Sequence, residues 1–241
     1  MNRSYDLHIH MSPINRPLDL EMAKKLVVIV WLVEPTLCAL AELNQNKHDD
    51  FHHKPIMIHS MNARHDGYDG PANNVTEATS LLPAALHEFL PTQVHKDAYK
   101  AYQLARVCDA TDIPSLRRMI LGTSQQRLGI DFREFEPSSA TTMKRENHRP
   151  YSATIEFRFF TPTRDPDYSR MCIKVAAAIF ALAAGPDHDL YRRKLDEILE
   201  RIDRKTDRWR ELLDILGLGS EVPAWENAKK QHCENPKDLE I

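Results

Sequence analysis

Glycine is scarce, with 7 in 241 residues. No G-x-G-x-x-G or Walker-type run occurs, which excludes the backbone cradles of Rossmann and P-loop nucleotide sites. A bound nucleotide would have to be held by side chains. The four cysteines, Cys38, Cys108, Cys172 and Cys233, lie far apart with no C-x-x-C pair, so a dense disulfide framework is excluded. Reduced thiols and a cytoplasmic location are expected. Long apolar runs are missing too: Leu26 to Val33 is far below the ~20 residues that cross a bilayer. The first residues form no signal-peptide pattern. Nor is one charge dominant. With 32 Lys+Arg against 35 Asp+Glu and a formal net charge of -3, no basic field marks nucleic acid or an anionic membrane as a partner.

What remains is the composition of a globular chain, 42% hydrophobic and 28% charged, long enough for one principal core with peripheral helices. Leu7, Ile9 and Met11 alternate with Asp6, His8 and His10, which predicts a strand. Asp19 is placed to cap a helix through Met22, Leu26, Trp31 and Leu40, interrupted or kinked near Glu34-Pro35. Residues 44–93 read as a long irregular connection, followed by helices at roughly 95–109 and 112–121. Thr154 to Phe160 alternates again as a strand. Asp165-Pro166 opens a helix that stops at Gly185-Pro186. Apolar positions from Tyr191 to Leu216 predict one long amphipathic helix over 187–217, and residues 218–241 read as a polar tail. The expected organisation is a domain over 1–186, then that helix and that tail.

Chemistry concentrates on the two strands. His8 and His10 point to one face two residues apart, a spacing suited to a metal ion or to phosphate and ribose groups. Glu156 and Arg158 share one face of the second strand, where an acid can hold Mg²⁺ and a base can meet a phosphoryl oxygen. The bland readings are a solvated sheet face for the histidines and a cross-strand ion pair for the acid and base. His48, His52, His53, His59 and His65 crowd one stretch but fit no zinc spacing. Arg127, Lys144, Arg145 and Arg149 read first as surface charge, Arg149 being the best placed of them to reach a phosphate.

Leu7-His8-Ile9-His10-Met11-Ser12 resembles the Met-His-x-His-x-Ser segment of glutamine synthetases, and Thr154-Ile155-Glu156-Phe157-Arg158-Phe159 resembles their Arg-Ile-Glu-x-Arg-Phe segment, in the same order. The closer similarity is to the fungal amidoligase family of that superfamily, whose His-x-His strand leads into a helix like Leu26 to Leu40 with its Trp31, Glu34 and Pro35. The likeness spans roughly residues 5–185. It implies an α+β fold, a curved antiparallel sheet of glutamine synthetase-like type flanked by helices, with ATP and Mg²⁺ or Mn²⁺ on the concave face. By that resemblance His8 and Glu156 are metal ligands, His8, His10 and Arg158 contact the nucleotide, and Glu156 and Arg158 are catalytic. The implied reaction activates a small-molecule or peptide carboxylate as an acyl phosphate, which an amine then attacks.

The sequence departs from that pattern. Asp6-Leu7 stands where the family has a glycine before the first histidine, and Phe159-Phe160-Thr161-Pro162 replaces Gln-His-x-Gly-Thr. Only five residues precede Asp6, leaving no room for the family's early Glu-x-Glu strand, so an N-terminally truncated site with little turnover of its own is expected. Two rivals are a metal-dependent hydrolase of amidohydrolase or PHP type built on His8 and His10, and a non-catalytic ligase remnant acting as a binding domain.

Overall fold

The computed structural model describes residues 7–14, 16–41, 56, 60, 90, 94, 98–121, 128–133, 154–160, 163, 165–202 and 206–234. Helices dominate, and one small sheet carries the polar cluster. In chain order the elements are β1 (Leu7–Met11), α1 (Leu20–Ala41), α2 (Ala98–Asp109), α3 (Ile113–Ile120), β2 (Ile130–Arg133), β3 (Thr154–Phe160), α4 (Pro166–Ala184), α5 (His188–Arg201), a 3₁₀ turn (Thr206–Arg208), α6 (Trp209–Ile215), a second 3₁₀ turn (Gly219–Glu221) and α7 (Val222–Glu234). The mixed helix-and-strand class expected from the sequence is what is found.

Helix α1 is the hub. Asp19 caps it as expected, accepting the Met22 N–H at 2.8 Å. Every residue from Lys25 to Glu34 is buried, so this middle stretch has no solvent face, and the helix packs against β3 and all the helices from α2 to α6. The charged groups Lys25 and Glu34 in its interior are individually satisfied, whereas the Trp31 indole N–H is buried without a hydrogen-bond partner. Lys25 pairs with Glu21 at 2.9 Å and lies over the Tyr191 ring, while Glu34 accepts the Ile56 N–H at 2.7 Å. Of the interruption or kink expected at Pro35, the interruption does not occur: the helix runs unbroken through it, the loss of one N–H donor being offset by the burial of the residues around it.

The sheet has the order β1-β3-β2 and is antiparallel throughout. Its partners are far apart in sequence, and β3 is central. Between Leu7 and Ile9 the β1–β3 register shifts, so that Arg158 and Phe159 together oppose His8, a β-bulge. Alternation ends there, and both Phe159 and Phe160 are buried. Ile155 and Phe157 pack on the core, reaching α1.

The C-terminal part differs from expectation. The single helix over 187–217 is two helices, α5 and α6, separated around the first 3₁₀ turn. The sequence between Ile202 and Trp209 is six consecutive polar residues, offering no apolar anchor to hold another helical turn on the core. α5 and α6 pack on each other and both touch α1, so they belong to the same core as the sheet. At Gly217 (φ 75°) the chain closes α6 with a Schellman motif: Leu218 N–H donates to the Leu213 carbonyl at 2.7 Å, and Gly217 N–H to that of Asp214 at 2.9 Å. The expected polar tail forms α7 over most of its length, because Trp225 is wholly buried edge-on against Tyr168, ring centroids 5.4 Å apart. No helix among the described residues is long and apolar enough to cross a membrane.

Candidate functional site

Strand β3 places Glu156 opposite His10 on β1 and opposite Asp131 on β2, so a row of His10, Glu156 and Asp131 crosses the sheet on one face. Two carboxylates side by side repel unless each is neutralised. Arg117 reaches from α3 to grip Asp131 with both arms of its fork, Nε at 2.7 Å and Nη2 at 3.1 Å. Arg133, two residues along β2, grips Glu156 the same way, Nε to Oε2 at 2.7 Å and Nη2 to Oε1 at 3.3 Å.

Glu156 gathers more partners than Arg133 alone. Arg158 donates from Nη1 to Oε1 at 3.1 Å. His8 Nδ1 lies 2.9 Å from the same oxygen and His10 Nε2 3.7 Å from it. The bulge at His8 lets Arg158 meet the carboxylate from the side where His8 approaches. Thr154 Oγ1 lies 3.4 Å from His10 Nδ1, at the limit of a hydrogen bond. His8, His10 and Arg158, singled out in the sequence, thus all converge on Glu156, the fourth residue singled out with them. Asp6, the five histidines between 48 and 65, and Arg127, Lys144, Arg145 and Arg149 lie outside the described residues.

The carboxylate is the hidden member. Glu156 has no exposed side-chain area, whereas Arg133 is 35% exposed and Arg158 17%. Burial pushes the Glu156 carboxyl up, but the Arg133 hydrogen bond and the charges of Arg133, Arg158 and His8 outweigh it and hold the group below the usual carboxylate range. Glu156 is thus a buried acid under a layer of cationic side chains.

That changes what the cluster can hold. Mg²⁺ and Mn²⁺ seek several carboxylate, carbonyl or water oxygens. Both oxygens of Glu156 already accept from guanidinium groups, and Asp131 is chelated by Arg117. Among the described residues no group of three or more His, Cys, Asp or Glu side chains is placed to bind a metal ion. The metal role assigned to Glu156 and His8 does not fit this donor set. An oxyanion does fit, since planar guanidinium forks held by their own carboxylates present further N–H donors in fixed directions.

Sequence reading missed β2. Its signal was present, as Ile130-Asp131-Phe132-Arg133 alternates apolar and polar residues directly after Gly129, but four residues are too few to separate from a loop. Arg117 offered no signal at all, being one charge in the last turn of a short amphipathic helix. Comparison with protein-family models, with curated proteins and with solved structures gives no match.

Proposed function

We propose that the chain is an ATP-dependent carboxylate–amine ligase of amidoligase type, whose Arg133, Arg158, His8 and His10 form the face that receives the transferred phosphoryl group. One observation carries the reading: the two segments that resemble the family, 146 residues apart on the line from His10 to Glu156, meet as neighbouring antiparallel strands with their polar residues converging on one carboxylate. In the reaction a substrate carboxylate oxygen bonds to the γ-phosphorus of ATP and the bond to ADP breaks. An amine nitrogen then bonds to the acyl carbon, phosphate departs and the amine loses a proton. Guanidinium groups aimed at the phosphoryl oxygens offset the charge that gathers there. Glu156 takes the role of positioning both arginines. Mg²⁺ or Mn²⁺ would arrive bound to the nucleotide and water, and the expected setting is the cytoplasm. Substrates are a small-molecule or peptide carboxylate and an amine. The test is release of phosphate from ATP coupled to amide formation across a panel of carboxylates and amines. Amine-dependent phosphate release that Arg158→Ala abolishes supports the proposal, and its absence from every pairing overturns it.

A second reading is favoured by the saturation of Glu156: a ligase-like domain that binds a phosphorylated ligand without turning it over. Binding of ATP with no product in the same panel selects it. The hydrolase alternative loses ground, because the described sheet is antiparallel and small while such barrels are built from parallel strands.

A further inference from the structure

We infer that the Glu156 cluster is a receptor for a phosphate-type oxyanion that requires no divalent cation. Charge is the first argument. Among the described partners of Glu156, Arg133 and Arg158 each carry +1 against its -1, and the adjacent Asp131 is gripped by Arg117. A divalent cation would meet these guanidinium groups, and among the described residues the carboxylate oxygens of Glu156 and Asp131 already accept from arginine, whereas a phosphate meets the guanidinium donors themselves.

Geometry is the second. Arg133 uses Nε and Nη2 to hold Glu156, so its fork is fixed in plane with Nη1 on the far side from the carboxylate, on a side chain 35% exposed. Arg158 comes from the neighbouring strand to the same carboxylate oxygen that Arg133 Nη2 contacts, which brings the two guanidinium groups together at one point. His8 and His10 border that point, each about a third or more exposed. A buried anion organising two cations and two imidazoles is a pre-ordered anion site, in which Glu156 takes the part of a template instead of a metal ligand. The inference stands apart from the ligase reading, since an anion can be bound here with or without group transfer.

Inorganic pyrophosphate is the probe, titrated calorimetrically into the full chain in EDTA and again in excess Mg²⁺. Binding in EDTA is expected, weakened about tenfold or more in Arg133→Ala and less in Arg133→Lys, which keeps the charge and loses the fork. Melting curves identify variants that remain folded, and because Arg133 is partly exposed at least the lysine variant should. Acetate at the same concentrations should bind far more weakly. Affinity that vanishes in EDTA and returns with Mg²⁺ overturns the inference. So does unchanged affinity in a folded Arg133 variant, or acetate binding as tightly as pyrophosphate. If pyrophosphate binds in EDTA and no amide forms in any pairing, the receptor stands and the ligase proposal falls.

Discussion

Replacing Glu156 by glutamine removes one charge from the interior at almost constant volume, and the structure sets what that should cost. The carboxylate accepts from Arg133 at 2.7 and 3.3 Å, from Arg158 at 3.1 Å, and lies 2.9 Å from His8 Nδ1. Hydrogen bonds to charged groups contribute about 1.5–3 kcal/mol each, so a naive sum would exceed 6 kcal/mol. That sum is too large. The amide keeps one acceptor oxygen, and Arg133 and His8, 35% and 32% exposed, recover water when released. Breaking a fully buried pair costs about 3–5 kcal/mol, and partial exposure of the donors brings the figure here to about 2–3 kcal/mol. For a chain of this size each kcal/mol moves the melting temperature by about 2–4 °C, giving a drop of roughly 5–10 °C in Glu156→Gln. Differential scanning calorimetry at neutral pH measures it, with urea unfolding as a check on the free energy. A melting temperature within about 1 °C of the parent would refute the view that Glu156 holds the sheet face together, and with it the template role.

The same carboxylate predicts a pH dependence. Its folded-state pKa lies below the ordinary value of 4.5, so its contribution is present above that value and is lost as pH falls through the lower folded one. Stability should decline on acidification in the parent and decline less steeply in Glu156→Gln; equal slopes would remove Glu156 from the account. At Gly129 an added Cβ would lie 2.1 Å from Cε1 and 2.3 Å from Cζ of the buried Phe159 ring, so Gly129→Ala should destabilise by about 1–3 kcal/mol in urea unfolding. An unchanged midpoint would show that the ring swings aside freely. Burial pushes the Cys108 and Cys172 thiols up to about 12, so in the native protein at pH 8 neither should react with iodoacetamide at the rate of a free thiol, and peptide mass spectrometry with and without denaturant reads this directly. Tyr168→Phe removes the buried hydrogen bond that the hydroxyl donates to the Ala41 carbonyl at 3.0 Å, and a loss of about 1–2 kcal/mol is expected from the same unfolding assay.

Period-two alternation in two short segments was enough to place β1 and β3, and the side chains that alternation sent to one face do meet in space. The capping aspartates Asp19 and Asp165 likewise stood out because a side-chain acceptor ahead of a helical run has one obvious use. Pairing could not be read in the same way. Nothing in the chain announces that Glu156 stands between His10 and Asp131, since register depends on which strands find each other. Depth was equally hidden: Glu156 reads as exposed from its charge, and the Arg133, Arg158 and His8 side chains laid against it make burial tolerable. The C-terminal helices show the limit of periodicity, which places Tyr191 and Trp209 on apolar stripes but does not tell a straight rod from two helices folded back on each other.

The sheet order β1-β3-β2 also carries a kinetic meaning. Arg133 and Glu156 are 23 residues apart, but His10 and Thr154 are separated by 144, and closing a loop of that length costs about 4 kcal/mol of chain entropy against about 3 for the shorter one. The arginine–glutamate half can therefore assemble early, with the histidine strand adding to it after the chain between them has collapsed around α1. Occupation of all four partners around Glu156 becomes a late event in folding. A ligand that needs the histidines as well as the arginines would bind only chains whose two ends of the sheet have closed, and its on-rate during refolding would report the last step of the process.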